Sequence, residues 1–191
     1  SMNGHEANPV AYLRFDEVRV PGDAVVGAPG DGLRLALRGI NHARTHVAAT
    51  AVGQGTRLLY EMGHHAGTRH QFGAPLAELG AVQAMIGESY ADVSAARELA
   101  LACARAWDEG RLDHYQISAA KYFATEAVGR VADRAVQVLG GAGIVGDGPV
   151  PRMWRDVRAL RIYEGASQVH ERNLARHVVD LSAGEAWRWS A

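Results

Sequence analysis

Glu164 is the residue around which chemistry could be built. It stands in RIYEGASQVHERNLARH (Arg161–His177), after Tyr163, before Gly165 and ahead of a run with helical spacing. Two roles are open to it. As an acid at a helix N-terminus it would be held charged by the helix dipole. As a general base it would need apolar surroundings to lift its pKa towards neutrality, which Ile162, Tyr163 and Ala166 permit.

Other residues could serve such a site. Arg44 falls on an apolar helical stripe, between Ile40 and Val47. A charge there must meet an anion or reach water, because burying it unpaired is costly. It either meets a ligand or orders a carboxylate, or it closes an ion pair within the chain. TRHQFG (Thr68–Gly73) offers Arg69 for phosphate oxygens and Phe72 to cover a flat ring, with Gln71 between them. The alternative is a polar helix end with one anchoring aromatic. QVLGGAG (Gln137–Gly143) could bring backbone close to a nucleotide or could simply cap a helix. It is no dinucleotide fingerprint, because its glycines end a helix and follow no strand. His42 and His46 share a helix face, but no third ligand accompanies them at a metal-binding spacing, so no metal is expected. Cys103 reads as a core residue.

The elements that must position these groups are mostly helices. The 191 residues are 48% hydrophobic and 21% charged, enough for one globular core. A net charge of −1 gives no electrostatic footprint for nucleic acid. No apolar run approaches the roughly 20 residues of a membrane span. The single cysteine excludes an intrachain disulfide and points to a reducing compartment, read as cytoplasmic, or the mitochondrial matrix in a eukaryote. Leu33, Leu37, Ile40, Val47, Ala51, Leu58 and Met62 mark a first helix, which Asp31 could cap. A second is expected from about Glu78 to Asp108, a third, alanine-rich, from about Tyr115 to Leu139, a short one in DGPVPRMWRD, and a last from about Glu164 to Leu181. The expected fold class is all-α, an antiparallel four-helix bundle. Ala11–Gly27 reads as one strand and a turn, whose partner strands would lie outside this sequence. Residues 1–9 read as a loose tail with a tag remnant, 10–28 as the end of a β-domain, 29–182 as the bundle and 183–191 as a tail.

FDEVRVPGDAVVG, NHARTHVAATAVG, RHQFGAPL and QVLGGAGIVGDGPVPRMWRDVRALRIYEGASQVHERNLAR, in this order, resemble the C-terminal half of the acyl-CoA dehydrogenase family. The resemblance implies a bundle that follows a helical and a β-domain, with only the last strand of the latter present here. It implies FAD as cofactor, an acyl-CoA thioester as substrate, and Glu164 as the base for the α-proton. Some members place that base within the first helix, where this chain has no acid between Asp31 and Glu61. By the same resemblance Arg44 and Asn41 lie near acyl-CoA, although many members carry aspartate at the latter, and Tyr163 and Gly165 flank the substrate. Arg69, Gln71 and Phe72 would reach a neighbouring subunit's FAD. Gln137, Gly140 and Gly141 would follow its adenosine end, and Ala166 and Gln168 would face the flavin. Ala166 replaces a usual threonine, so a hydroxyl contact is lost that Ser167 or water could replace. The implied partners are a second copy in a homodimer or homotetramer and an electron-transferring flavoprotein or another acceptor. A competing expectation is an isolated oligomerisation module or split-enzyme subunit, inactive by itself.

Overall fold

The computed structural model describes residues 2–8, 10–111 and 113–183. Among the described residues five α-helices are found: α1 Gly32–Thr68, α2 Gly80–Asp108, α3 His114–Leu139, α4 Pro149–Leu160 and α5 Ser167–Ala183. A two-stranded antiparallel ladder, β1 His70–Gln71 and β2 Ala74–Pro75, joins α1 to α2, with His70 opposite Pro75. Phe72 and Gly73 take positive φ at its tip, and this allows so tight a reversal.

α3 is the central helix and packs against α1, α2, α4 and α5. Its buried face runs Ile117, Ala120, Ala124, Val128, Val131, Ala135 and Val138. Small side chains there let neighbouring axes come close. Ala48, Ala51, Leu58 and Met62 of α1 fill the facing side. At Gly55 a Cβ would stand 2.8 Å from Val93 Cγ2, so glycine sets the α1–α2 crossing. The Asp113 side chain accepts from Tyr115 N and starts α3. Gly140, at φ 58, ends it. Pro149 opens α4 in a position where its missing N–H costs nothing. Asp92 on α2 receives Arg130 and Arg134 from α3 and stitches the two helices at their surface.

Several expectations need correcting. Ala11–Gly27 forms no strand; among the described residues it holds one 3-10 turn, Gly22–Ala24, and no ladder. The reason is the one that made the strand notable: no partner strand is present to receive its backbone groups. Tyr12, Leu13, Phe15, Val18 and Val20 are all exposed. The opening segment is tied to α4, where His5 N donates to Asp156 Oδ1 at 2.7 Å, the His5 ring meets Asp156 O at 2.9 Å and Glu6 faces Arg155 at 3.8 Å. On α1, Leu33 is 74% exposed and Leu37 also faces out. The helix spans about 55 Å against about 39 Å for α3, so its first turns overhang the bundle. Near the end of α2 the inward residues are Cys103 and Ala106. The Cys103 thiol is pushed up by burial, in keeping with an inert core position. Trp187 and Trp189 lie outside the described residues.

Leu58 is wholly buried and Leu33 is not. Leu58→Ala is expected to lower the unfolding free energy by about 2–5 kcal/mol and Leu33→Ala by less than about 0.5 kcal/mol, read from urea midpoints at constant slope.

Candidate functional site

The stretch between α4 and α5 is not the start of a helix. Arg161–Gly165 is a turn, and α5 begins only at Ser167. Glu164 has φ 55 and Gly165 φ 99, so two consecutive residues are left-handed. A non-glycine residue in that region is uncommon and persists only when its surroundings hold it. Glu164 is therefore not in the first turn of α5, which begins three residues later.

Three elements hold the turn. Ser167 N donates to Arg161 O at 3.2 Å and closes it. Glu126 of α3 accepts from both ends, from Arg161 Nε at 2.8 Å and from Ser167 Oγ at 2.5 Å. Burial alone would raise the Glu126 carboxyl, but the hydrogen bonds from Arg161 and Ser167 and the charges of Arg161 and Arg130 hold it below the usual range. Between those ends, Arg44 Nε of α1 donates to Glu164 O at 2.8 Å. Lys121 Nζ of α3 donates to Gly165 O at 2.7 Å. Arg44 also donates from Nη1 to Asn41 Oδ1 at 2.9 Å. Its guanidinium pKa is lowered by burial, partly opposed by the Glu164 charge.

Of the two possibilities for Arg44, the intrachain ion pair is absent among the described residues, and the guanidinium instead orders the backbone of Glu164. The Ser167 hydroxyl is committed to Glu126, so it is not free to replace the threonine hydroxyl that Ala166 lacks. Tyr163 is partly exposed, edge-on to His5 at 6.0 Å. Its phenol is pushed up by burial and by the charge of Glu164. Gln168 faces outward from the first turn of α5.

Asn41 borders a cavity of about 540 Å³ at the α1 overhang, walled by Arg34, Arg38, Leu37, Trp107 and Ile117. Cationic and apolar walls suit an amphipathic anion. Arg34 is already paired with Asp31 at 3.0 Å; Arg38 has no ion pair among the described residues. The His42 and His46 rings lie 4.4 Å apart, and His42 packs on Trp107.

The second set of expected site residues lies elsewhere. Arg69, Gln71 and Phe72 sit on the ladder at the far end of α1, and Phe72 is 91% exposed. Gln137, Gly140 and Gly141 lie at the C-terminal end of α3, also exposed. Consecutive helices in such a bundle run antiparallel, so both groups lie at the same end. Arg44 is 24 residues from the end of α1 and Lys121 is 18 from the end of α3, or about 36 and 27 Å along the axes. One chain therefore does not bring this set to Glu164.

Lys121 and His170 escaped the sequence reading. Both are wholly buried. The signal for Lys121 was available: it shares an apolar stripe with Ile117, Ala124 and Val128, as Arg44 does with its neighbours. The His170 imidazole finds no well-formed hydrogen bond among the described residues. Burial, then the charges of Lys121 and Arg44, lower its pKa to about 4, against a weaker pull from the nearby Glu164 and Gly165 backbone. A Cβ on residue 165 would stand 3.0 Å from His170 Nε2, so side chain and glycine are matched.

The fold and site together define a helical-bundle domain that presents a carboxylate on a left-handed turn. Comparison with known proteins gives the particular family. Residues 30–179 match the family model "Acyl-CoA dehydrogenase, C-terminal domain". The chain is 37% identical over 167 residues to glutaryl-CoA dehydrogenase of Desulfococcus multivorans, covering 87% of this chain and 43% of that protein. It is 33% identical to cyclohexane-1-carbonyl-CoA dehydrogenase of Geobacter metallireducens, covering 94% and 47%. Butyryl-CoA dehydrogenase from Megasphaera elsdenii superimposes with a TM-score of 0.84 at 30% identity, over 86% of this chain and 43% of that one. The chain belongs to the acyl-CoA dehydrogenase family and corresponds to its C-terminal domain. It spans less than half the length of these relatives.

A folded-state pKa below the unfolded one means that the unfolded imidazole takes up a proton that the folded one refuses. The contribution of His170 is therefore full above about pH 6.5 and is lost as pH falls towards 4. The His170 ring is expected to stay neutral at pH 5.5 by NMR, and His170→Gln to lose less stability than the parent chain between pH 6.5 and 4.

Proposed function

We propose that this chain supplies the proton-abstracting half of a flavin-dependent acyl-CoA dehydrogenase, with Glu164 as base for the α-proton of an acyl-CoA thioester. The observation that carries this is the turn itself: a carboxylate on strained left-handed backbone, its carbonyl taken by Arg44, in a chain of this family. Strain of this kind is retained where surrounding structure fixes a group for use.

The α-proton is weakly acidic, so the base must be held within hydrogen-bond reach of it. The Glu164 carboxylate would take that proton. Arg44 would stop the turn from relaxing during transfer, and the cavity beside Asn41, Arg38 and Trp107 would receive the amphipathic anion. When bound, FAD supplies the acceptor for the hydride leaving the β-carbon. The residues at the other end fit such a group: Phe72 stands in the open, and a Cβ on Gly73, Gly140 or Gly141 would meet nothing within 4 Å, leaving a flat, accessible edge. Because that edge is about 27–36 Å from Glu164, it would serve the flavin of a neighbouring copy, which calls for a homo-oligomer. Residues 10–28 would complete a β-domain, and their exposed apolar side chains would then be covered. Electron-transferring flavoprotein or another acceptor would reoxidise the flavin.

A second reading has one observation in its favour. The chain spans 43% to 47% of its relatives, so by itself it would be an assembly module that binds no FAD. Gel filtration after incubation with FAD separates the two: flavin absorbance travelling with the isolated chain would remove the module reading.

In the flavin-bound enzyme that contains this segment, Glu164→Gln is expected to cut turnover by about 10²–10⁴-fold, with flavin absorbance kept. Turnover within threefold of the parent would remove Glu164 from this role.

A further inference from the structure

Lys121 is an expensive residue to keep where it is. Its side chain is wholly buried on the apolar face of α3. No carboxylate oxygen comes within 4.0 Å of its ammonium group among the described ion pairs. A methionine of similar shape would avoid the cost of desolvating a charge, and buried charges are often replaced without loss of stability. Packing therefore does not explain a lysine here.

What the ammonium group does touch is Gly165 O, at 2.7 Å. The neighbouring carbonyl, Glu164 O, is taken by Arg44 at 2.8 Å. Two left-handed residues in a row present these carbonyls to the bundle, among the described residues no backbone N–H donates to either, and a buried carbonyl without a donor is costly. Two long cationic side chains from two different helices therefore reach the turn from inside. His170 closes the third side: φ 99 at residue 165 favours glycine, and a Cβ there would crowd His170 Nε2 at 3.0 Å and Arg44 Nη2 at 3.2 Å.

We propose that Lys121 is a positioning residue for Glu164, fixing through the Gly165 carbonyl the peptide that aims the carboxylate. The catalytic part of this proposal rests on the function proposed above; the anchoring of the turn does not. Burial first, then the charge of Arg44, lower the Lys121 pKa to about 8, with Glu126 and Glu164 pulling the other way and the neutral His170 completing its surroundings. A neutral amine still carries hydrogens to donate. The anchor is therefore kept on both sides of that pH, as a positioning group requires and a charge-based catalyst would not.

The test compares the parent chain with Lys121→Met. The Ser167 amide, which closes the turn onto Arg161 O, reports its stability. Its hydrogen exchange by NMR is expected to speed up about tenfold or more relative to amides in the centres of α1 and α3. Equal exchange in the two chains overturns the proposal. In the flavin-bound enzyme, the same substitution is expected to lower kcat by about 10–100-fold with KM for acyl-CoA within threefold, as a displaced base would. A raised KM with kcat unchanged overturns it. If Lys121→Met does not fold, Lys121→Gln, a neutral donor too short for the carbonyl, is read in the same way; failure of both to fold assigns Lys121 to the core and overturns the proposal. Faster exchange at Ser167 in a protein whose turnover survives Glu164→Gln would leave the anchor standing and remove the function instead.

Discussion

Two carbonyl groups that point inward govern the site. Left-handed φ at Glu164 and Gly165 presents both carbonyls to the bundle, and each needs a donor. Arg44 on α1 and Lys121 on α3 supply them. The remaining features follow. α1 and α3 must lie side by side at that level, which their alanine-rich faces allow. Residue 165 is suited to glycine, because its φ is 99 and a Cβ would crowd His170 and Arg44. Glu126 must hold Arg161 and Ser167 together, or the turn opens at its ends. The carboxylate of Glu164 is then free of structural duties, which is the condition for a chemical role.

The arrangement concentrates charge inside a small bundle. Arg44, Lys121 and His170 lie behind one turn, and the bundle accepts this only by keeping His170 neutral and lowering the Lys121 pKa to about 8. An ordinary core would use apolar side chains at all three places. Stability given up at one spot while the rest of the core is regular is what a functional site leaves behind.

The helices were legible in the sequence because their apolar periods are long and their ends carry turn residues. Predicted and observed bounds for α2 and α3 agree to within two residues. Arg44 was legible too, as a charge on an apolar stripe. Lys121 carried the same signal and was passed over among the alanines of α3, although Ile117 and Val128 frame it equally well. The strand assigned to Ala11–Gly27 failed because local alternation says nothing about whether a partner strand is present. The start of α5 was misplaced by three residues because "YEG" reads as a helix start, whereas the left-handed turn depends on donors more than 40 residues away in sequence. The role of base proposed for Glu164 is permitted by its local residues and implied by family resemblance; the folded chain adds Arg44, Lys121 and His170 around its turn.

The most direct test is the position of one carboxylate. A crystal structure of the full-length enzyme, with flavin and an unreactive acyl-CoA analogue bound, gives the distance from the nearer Glu164 carboxylate oxygen to the acyl α-carbon. The expected value is about 3–3.5 Å, with Arg44 and Lys121 still on the turn's carbonyls. A carboxylate facing open solvent, with another acid at the α-carbon, would contradict the role given to Glu164.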